Sequence, residues 1–191
     1  MRTLRHGFGA AVVLAGLLSV NALAPKALAA DAVPVPDGYR MTDYRTPTPA
    51  GLPGAATVDT AQARALIESG NVVAVNVLKL DRSTLPGGPW LLPKPFRQIP
   101  GSVWLPNVGL GALTPELEGY FRTRLDALTK SDRGRGLLFY CLADCWMSWN
   151  AAKRALEMGY GRVYWFRDGV DGWAEAGLPT EEGKPVPVAA P

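Results

Sequence analysis

Two cysteines, Cys141 and Cys145, are the only thiols in 191 residues, and they stand four positions apart in the segment YCLADCWMSWNAAKRAL, residues 140–156. A thiolate attacks sulfur and carbon centres and binds soft metals, so this spacing points to sulfur or redox chemistry. The chain has one histidine, His6, inside a segment read below as removed. Without it, Ser-His-Asp triads, Cys-His pairs, His-based zinc sites and C-x-x-C-H haem attachment all drop out. Chemistry must then use Cys, carboxylates, Lys, Arg, Tyr or backbone dipoles.

The residues before Cys141, Gly136–Tyr140, read as a buried strand, and a helix is expected over about residues 148–158, stopped by Gly159. Cys141 thus stands at the carboxyl end of a strand, where open parallel sheets place ligands. A loop turning into a helix aims unpaired amides and the positive end of the helix dipole at one spot. A thiol there is favoured as thiolate, its pKa lowered from about 8.5 to about 3.5–7.5, so no imidazole base is needed. Cys141 is read as the nucleophile, with the amides of Leu142, Ala143, Asp144, Trp146 and Met147 as the anion-binding loop. Cys145 has three readings: a resolving thiol, a structural disulfide partner, or an unpaired packing residue. A structural bond closing so short a loop gains little, which favours the labile pair. Asp144 disfavours a thiolate on the adjacent Cys145 by like charge, or reads simply as a helix cap or turn acid, and Trp146 and Trp149 read as packing or a pocket rim. Arg154 is long enough to reach the loop, but its default reading is a solvated helix residue. Cu(I) on Cys141, Cys145 and Met147 is the one metal reading with chemical sense; zinc lacks ligands. No metal and no cofactor are expected.

Elsewhere, residues 58–69 read as a helix capped by Thr57 or Asp59, and residues 71–80 as a strand buried on both faces. Residues 81–97, with four prolines, read as a long surface loop with no regular element. Thr114-Pro115-Glu116 starts a helix that runs to about Leu128, and Val163–Phe166 is a third strand. Asp171–Ala176 reads as a short helix with Trp173 inward. Strands alternating with helices give an α/β class with a mostly parallel central sheet flanked by helices.

Residues 1–29 read as a cleaved export signal: Arg2 and Arg5, the apolar stretch Phe8–Val20, then Ala27-Leu28-Ala29. The expected organisation is this signal, a Pro-rich extended lead-in over 30–56, one domain over 57–180 and a flexible tail over 181–191. Of 20 basic residues, three (Arg2, Arg5, Lys26) lie in the signal, which has no acid, so the remainder carries 17 bases against 17 acids. A neutral chain with no basic run makes no electrostatic case for nucleic acid or an anionic membrane. A periplasmic location, no membrane span after cleavage and an oxidising environment for the thiols follow as expectations.

The same residues resemble a rhodanese-like (sulfurtransferase) domain over about residues 57–179. The resemblance is carried by Cys141, Ala151-Ala152, Gly159-Tyr160, Val163-Tyr164-Trp165, Gly169 with Trp173, Ala176-Gly177-Leu178-Pro179, and upstream Gln98-Ile99-Pro100-Gly101-Ser102. It implies a rhodanese-like fold and a cysteine that accepts sulfane sulfur as a persulfide, or a partner thiol as a mixed disulfide. Two positions depart: Trp146 stands where many active members have Arg, and Asn76-Val77-Leu78 replaces Asp-x-Arg. The string CLADCW resembles an exported subgroup, named for a paired-Cys-Trp motif, associated with pyrroloquinoline-quinone-dependent alcohol catabolism. That implies a sulfane-sulfur donor or partner thiol, and a periplasmic quinoprotein dehydrogenase or its cytochrome, as partners. The alternative is a non-catalytic accessory module docking through the same cleft and the Pro/Trp-rich loop 85–96; a copper carrier is a third reading.

Overall fold

Five consecutive buried residues, Gly136–Tyr140, form the strand on which the site is built; the one polar side-chain group among them, the Tyr140 hydroxyl, accepts from the Ile99 amide. The computed structural model describes residues 32–84 and 88–188; the segment read as an export signal lies outside them. In chain order the elements are β1 (Ala56–Val58), α1 (Thr60–Glu68), β2 (Val72–Asn76), β3 (Asp81–Arg82), β4 (Trp90–Leu91), β5 (Arg97–Gln98), β6 (Val103–Trp104), α2 (Pro115–Thr129), β7 (Gly136–Tyr140), α3 (Trp146–Glu157), β8 (Val163–Phe166), α4 (Gly169–Glu175) and β9 (Glu181–Glu182).

Five strands make the central sheet in the order β1-β8-β7-β2-β6. Every pairing in it is parallel, with Val72–Asn76 in register with Gly136–Tyr140, and Leu137–Tyr140 with Val163–Phe166. Alternation along the strands splits the core into two faces. Val75, Leu137, Phe139 and Trp165 join Leu117, Phe121 and Leu125 of α2 and Trp149, Ala151, Ala152 and Ala155 of α3. Ala74, Leu138, Tyr140 and Phe166 join Ala63 of α1 and Val170 and Trp173 of α4. A parallel sheet covered on both faces favours near-continuous hydrophobic strands, as β2 is up to its last residue, Asn76, and β7 is along its length. The α/β architecture with flanking helices is the one expected. Among the described residues no helix is long and apolar enough to cross a membrane.

The helix ends follow local chemistry. Asp59 caps α1 in a reciprocal box with Gln62, and Thr114 accepts from the Leu117 amide ahead of Pro115. Four expectations are corrected. The Pro-rich stretch 81–97 contains a small hairpin, β3 against β4, held to α2 by an Arg82–Glu116 ion pair of 2.6 Å. Helix α3 begins at Trp146, two residues earlier than expected, so Trp146 and Met147 belong to its first turn rather than to the loop. The segment from 181, expected to be flexible, pairs through β9 with β5; the Val186 amide donates to the Trp104 carbonyl, and the Val186 carbonyl accepts from Trp90 and Tyr120. Arg154 is 7% exposed, not solvated.

Candidate functional site

Cys141 follows β7 directly, and its carbonyl accepts the Val170 amide at 2.9 Å. This ties the end of the strand to the start of α4. A Cβ on Gly169 would stand 2.4 Å from the Cys141 carbonyl oxygen, and Gly169 has φ +58°, so two constraints demand glycine there. The chain then reverses over Leu142–Asp144, with Asp144 in the left-handed region at φ +48°, a conformation that short Asp and Asn side chains tolerate best. Cys145 is the extended N-cap residue of α3 and makes no side-chain cap bond. The turn brings the two cysteines together as a disulfide with their Cα atoms 6.1 Å apart.

Both cysteines are buried, Cys141 at 1% and Cys145 at 2% exposure. The amides read as an anion-binding loop are partly committed elsewhere. Ala143 donates to the Asp171 carboxylate at 2.9 Å, and Trp146 donates to the Tyr44 carbonyl at 2.9 Å. Asp144 is exposed and lies 3.8 Å from the Arg167 guanidinium, so it caps nothing; Leu142 is half-buried beside both core faces. Trp146 packs edge-on against Trp149 at 5.5 Å, and the Arg40 guanidinium lies 5.4 Å from its ring centre. Met147 meets the loop before α2 so closely that a Cβ on Gly109 would lie 2.1 Å from its carbonyl oxygen.

The Pro-rich lead-in lies along α3. An isolated antiparallel bridge pairs Arg45 with Cys145. The Pro47 carbonyl accepts from the Trp146 indole at 3.1 Å, and the Gly51 carbonyl from the Trp149 indole at 3.2 Å. Asn150 accepts from the Arg40 amide at 3.0 Å and donates to the Arg40 and Gly109 carbonyls at 2.8 and 2.9 Å. Arg154 donates to the carbonyls of Val108, Leu110 and Gly111 and lies 4.1 Å from the Tyr39 ring centre. Burial lowers the Arg154 pKa. Tyr39 donates to Glu157, and burial together with that bond pushes its phenol up to about 12.

Asn150 and Arg154 were not singled out as positioning residues from the sequence. Their signal is the spacing Trp146, Asn150, Arg154, one face of a helix at intervals of four. Opposite the sheet that face binds backbone carbonyls of two other segments.

A cleft of about 380 Å3 opens beside the pair, lined by Asp43, Tyr44, Arg45, Thr46, Leu78, Lys79, Cys145 and Met147. Cys141 is not among its lining residues. Among the described residues no three His, Cys, Asp or Glu side chains gather as a metal set, and the two sulfurs are bonded to each other.

No protein-family model matches the chain, and no curated protein matches it. Among solved structures it is similar to a thiosulfate sulfurtransferase from Pseudomonas aeruginosa, at 19% identity over 69% of this chain and 21% of that one, with a TM-score of 0.49. It is similar to an anaerobic ergothioneine biosynthesis enzyme from Chlorobium limicola bound to trimethyl histidine, at 24% identity over 70% and 33% of the two chains, with a TM-score of 0.46. A protein of unknown function from Rhodopseudomonas palustris, described as a possible tyrosine phosphatase, is 25% identical over 66% and 85%, with a TM-score of 0.44. The chain spans about a fifth and a third of the first two structures. The architecture itself rests on the strand order and register described above.

Proposed function

We propose that this chain is a periplasmic thiol–disulfide exchange or sulfur-transfer protein of rhodanese-like type, acting through Cys141 and Cys145. The observation that carries the reading is the placement of the chain's only two cysteines as a bonded pair where β7 turns into α3. A disulfide closing so short a loop between a strand end and a helix N-terminus is suited to opening and closing by exchange. The rhodanese-like motifs of the sequence supply the sulfur-transfer half of the proposal. The CLADCW string supplies the link to a quinoprotein alcohol-oxidising system.

Intact-mass measurement after incubation with thiosulfate or with a dithiol tests this. For the reduced protein, in which a cysteine thiolate displaces sulfite from thiosulfate, a gain of one sulfur, lost when that cysteine is replaced by serine, is the result expected of sulfur transfer. Interconversion of disulfide and dithiol forms, with no sulfur gained, is the result expected of exchange. A protein whose mass never changes under either treatment refutes both. The burial of both sulfurs and the lead-in lying over α3 favour a second reading, an accessory module that docks on a dehydrogenase or its cytochrome. That reading is supported if the Cys141→Ser, Cys145→Ser double variant sustains growth on alcohols as the wild type does.

A further inference from the structure

We propose that Cys145, not Cys141, is the sulfur through which this pair exchanges with its partners, and that the cleft beside it admits an anionic thiol. This rests on the exchange reading above and assigns its geometry. A disulfide has two ends, and the end that reacts is decided by access and by which sulfur is better held as thiolate.

Position separates the two, although both are buried, at 1% for Cys141 and 2% for Cys145. Cys145 is a lining residue of the 380 Å3 cleft, whereas Cys141 lies at the end of a strand buried on both sides, with its carbonyl bonded to the Val170 amide of α4. Electrostatics acts on the second step of the exchange, in which Cys145 departs as thiolate; the neighbouring carboxylate of Asp144 lies 3.8 Å from the Arg167 guanidinium, which offsets its charge. Cys145 is the N-cap of a 12-residue helix with no side-chain oxygen in the capping role. A thiolate on that residue stands where an acidic or hydroxyl cap ordinarily meets the first-turn amides and the positive end of the dipole.

The cleft also selects charge. Arg45 and Lys79 are exposed and have no ion-pair partner among the described residues, while the one acid in the lining, Asp43, lies 3.7 Å from Arg40. Tyr44, Leu78 and Met147 supply an apolar wall for the carbon chain of the ligand. The chemical class this fits is a small thiol bearing a carboxylate.

The exchange balances without another reagent. The thiol RSH ionises, the thiolate RS⁻ attacks Sγ of Cys145, the bond to Cys141 breaks, and the electron pair leaves on Cys141, which takes up the proton RSH gave to solvent. A second RS⁻ attacks the R sulfur of the mixed disulfide and releases Cys145 as thiolate. Two thiols are oxidised to RSSR and the protein disulfide is reduced to the dithiol.

The test uses full-length Cys141→Ser and Cys145→Ser variants, each with one thiol. They are reacted with anionic dithiobis(nitrobenzoate) and with neutral dithiodipyridine, natively and in guanidinium. Cys145 in the first variant is expected to react about 100-fold faster natively than Cys141 in the second, with the gap closing on unfolding. Adding Arg45→Glu and Lys79→Glu to the first variant should slow the anionic reagent about tenfold at low salt and leave the neutral one unchanged. Equal native rates, or a faster Cys141, overturn the assignment. Equal slowing of both reagents overturns the charge selection. If a serine variant does not fold, limited alkylation of reduced wild type with peptide mapping decides: label must appear first on Cys145. Wild type that never exchanges, with fast Cys145 labelling, sinks the exchange reading and keeps the assignment. Wild type that exchanges, with Cys141 labelled first, does the reverse.

Discussion

Replacing Arg154 by Met tests the most consequential packing feature around the site. The guanidinium is 7% exposed and bonds three carbonyls, at 2.8 Å to Val108 and 3.1 Å to both Leu110 and Gly111. No carboxylate pairs with it among the described residues, so these carbonyls and the Tyr39 ring hold the charge. Met fills much of the apolar stem but donates nothing. Each orphaned buried acceptor costs roughly 1–3 kcal/mol. The bonds to Val108 and Gly111 are buried and that to Leu110 is partly open, so water can replace one of the three. For the two left, the gross loss is then about 2–6 kcal/mol. Removing a desolvated cation returns part of this, leaving a net loss of about 3 kcal/mol. In a domain of this size that lowers Tm by about 6–12 °C. Urea unfolding followed by tryptophan fluorescence should show a lower midpoint with an unchanged slope, and Arg154→Lys should fall between the two, because one ammonium does not span three carbonyls. A Met variant melting within about 2 °C of wild type refutes the reasoning and returns Arg154 to the solvated role its charge suggests.

Three further outcomes follow from the same contacts. Gly109→Ala puts a Cβ 2.1 Å from the Met147 carbonyl oxygen, so the loop or the first turn of α3 must move; a loss of about 2–3 kcal/mol is expected in thermal melts, within the range for overpacking. Reducing the disulfide, which spans a sequence separation of 4, removes a loop-closure constraint of about 2 kcal/mol, read as a lower urea midpoint for reduced than for oxidised protein. Tyr39 has its pKa pushed up to about 12 from 10, so folding favours its protonated form. Its contribution is complete below pH 10 and lost as pH rises through about 12. Tyr39→Phe should therefore lose stability less steeply than wild type between pH 10 and 12 in pH-dependent unfolding.

The three long strands and four helices were legible because their signals are local or periodic. A strand buried on both faces reads as a nearly continuous hydrophobic run, as Gly136–Tyr140 does. The start of α3 was misplaced by two residues because its cap is a cysteine and its first turn is Trp-Met, which carry no capping oxygen. The two-residue strands of the hairpin and of β9 are too short to show alternation, and prolines nearby mask them. Arg154 was misread for a different reason. Its neighbours in sequence describe a helix with a polar outer face, and only contacts from segments more than 40 residues away turn that face inward. The proximity of Cys141 and Cys145 was legible in their spacing. Which of them meets the cleft was not, because that depends on the lead-in.

The lead-in is what makes the site composite. Four of the eight cleft-lining residues, Asp43–Thr46, belong to it, and the Tyr44 carbonyl takes the first amide of α3 at 2.9 Å. That bond removes one donor from the helix N-terminus, yet the same backbone brings Arg45 into register with Cys145. A helix that gives up one amide to the lead-in gains a cationic residue paired in register with its N-cap cysteine. The trade is favourable for an incoming anion, because a mobile exposed cation steers from a distance while an amide acts only within hydrogen-bond reach. It also places specificity and reactivity on different segments: α3 holds the sulfur, the lead-in with Lys79 sets the charge of what reaches it. Substitutions at Arg45 should therefore change which thiols react without changing how readily Cys145 is reduced by a neutral one.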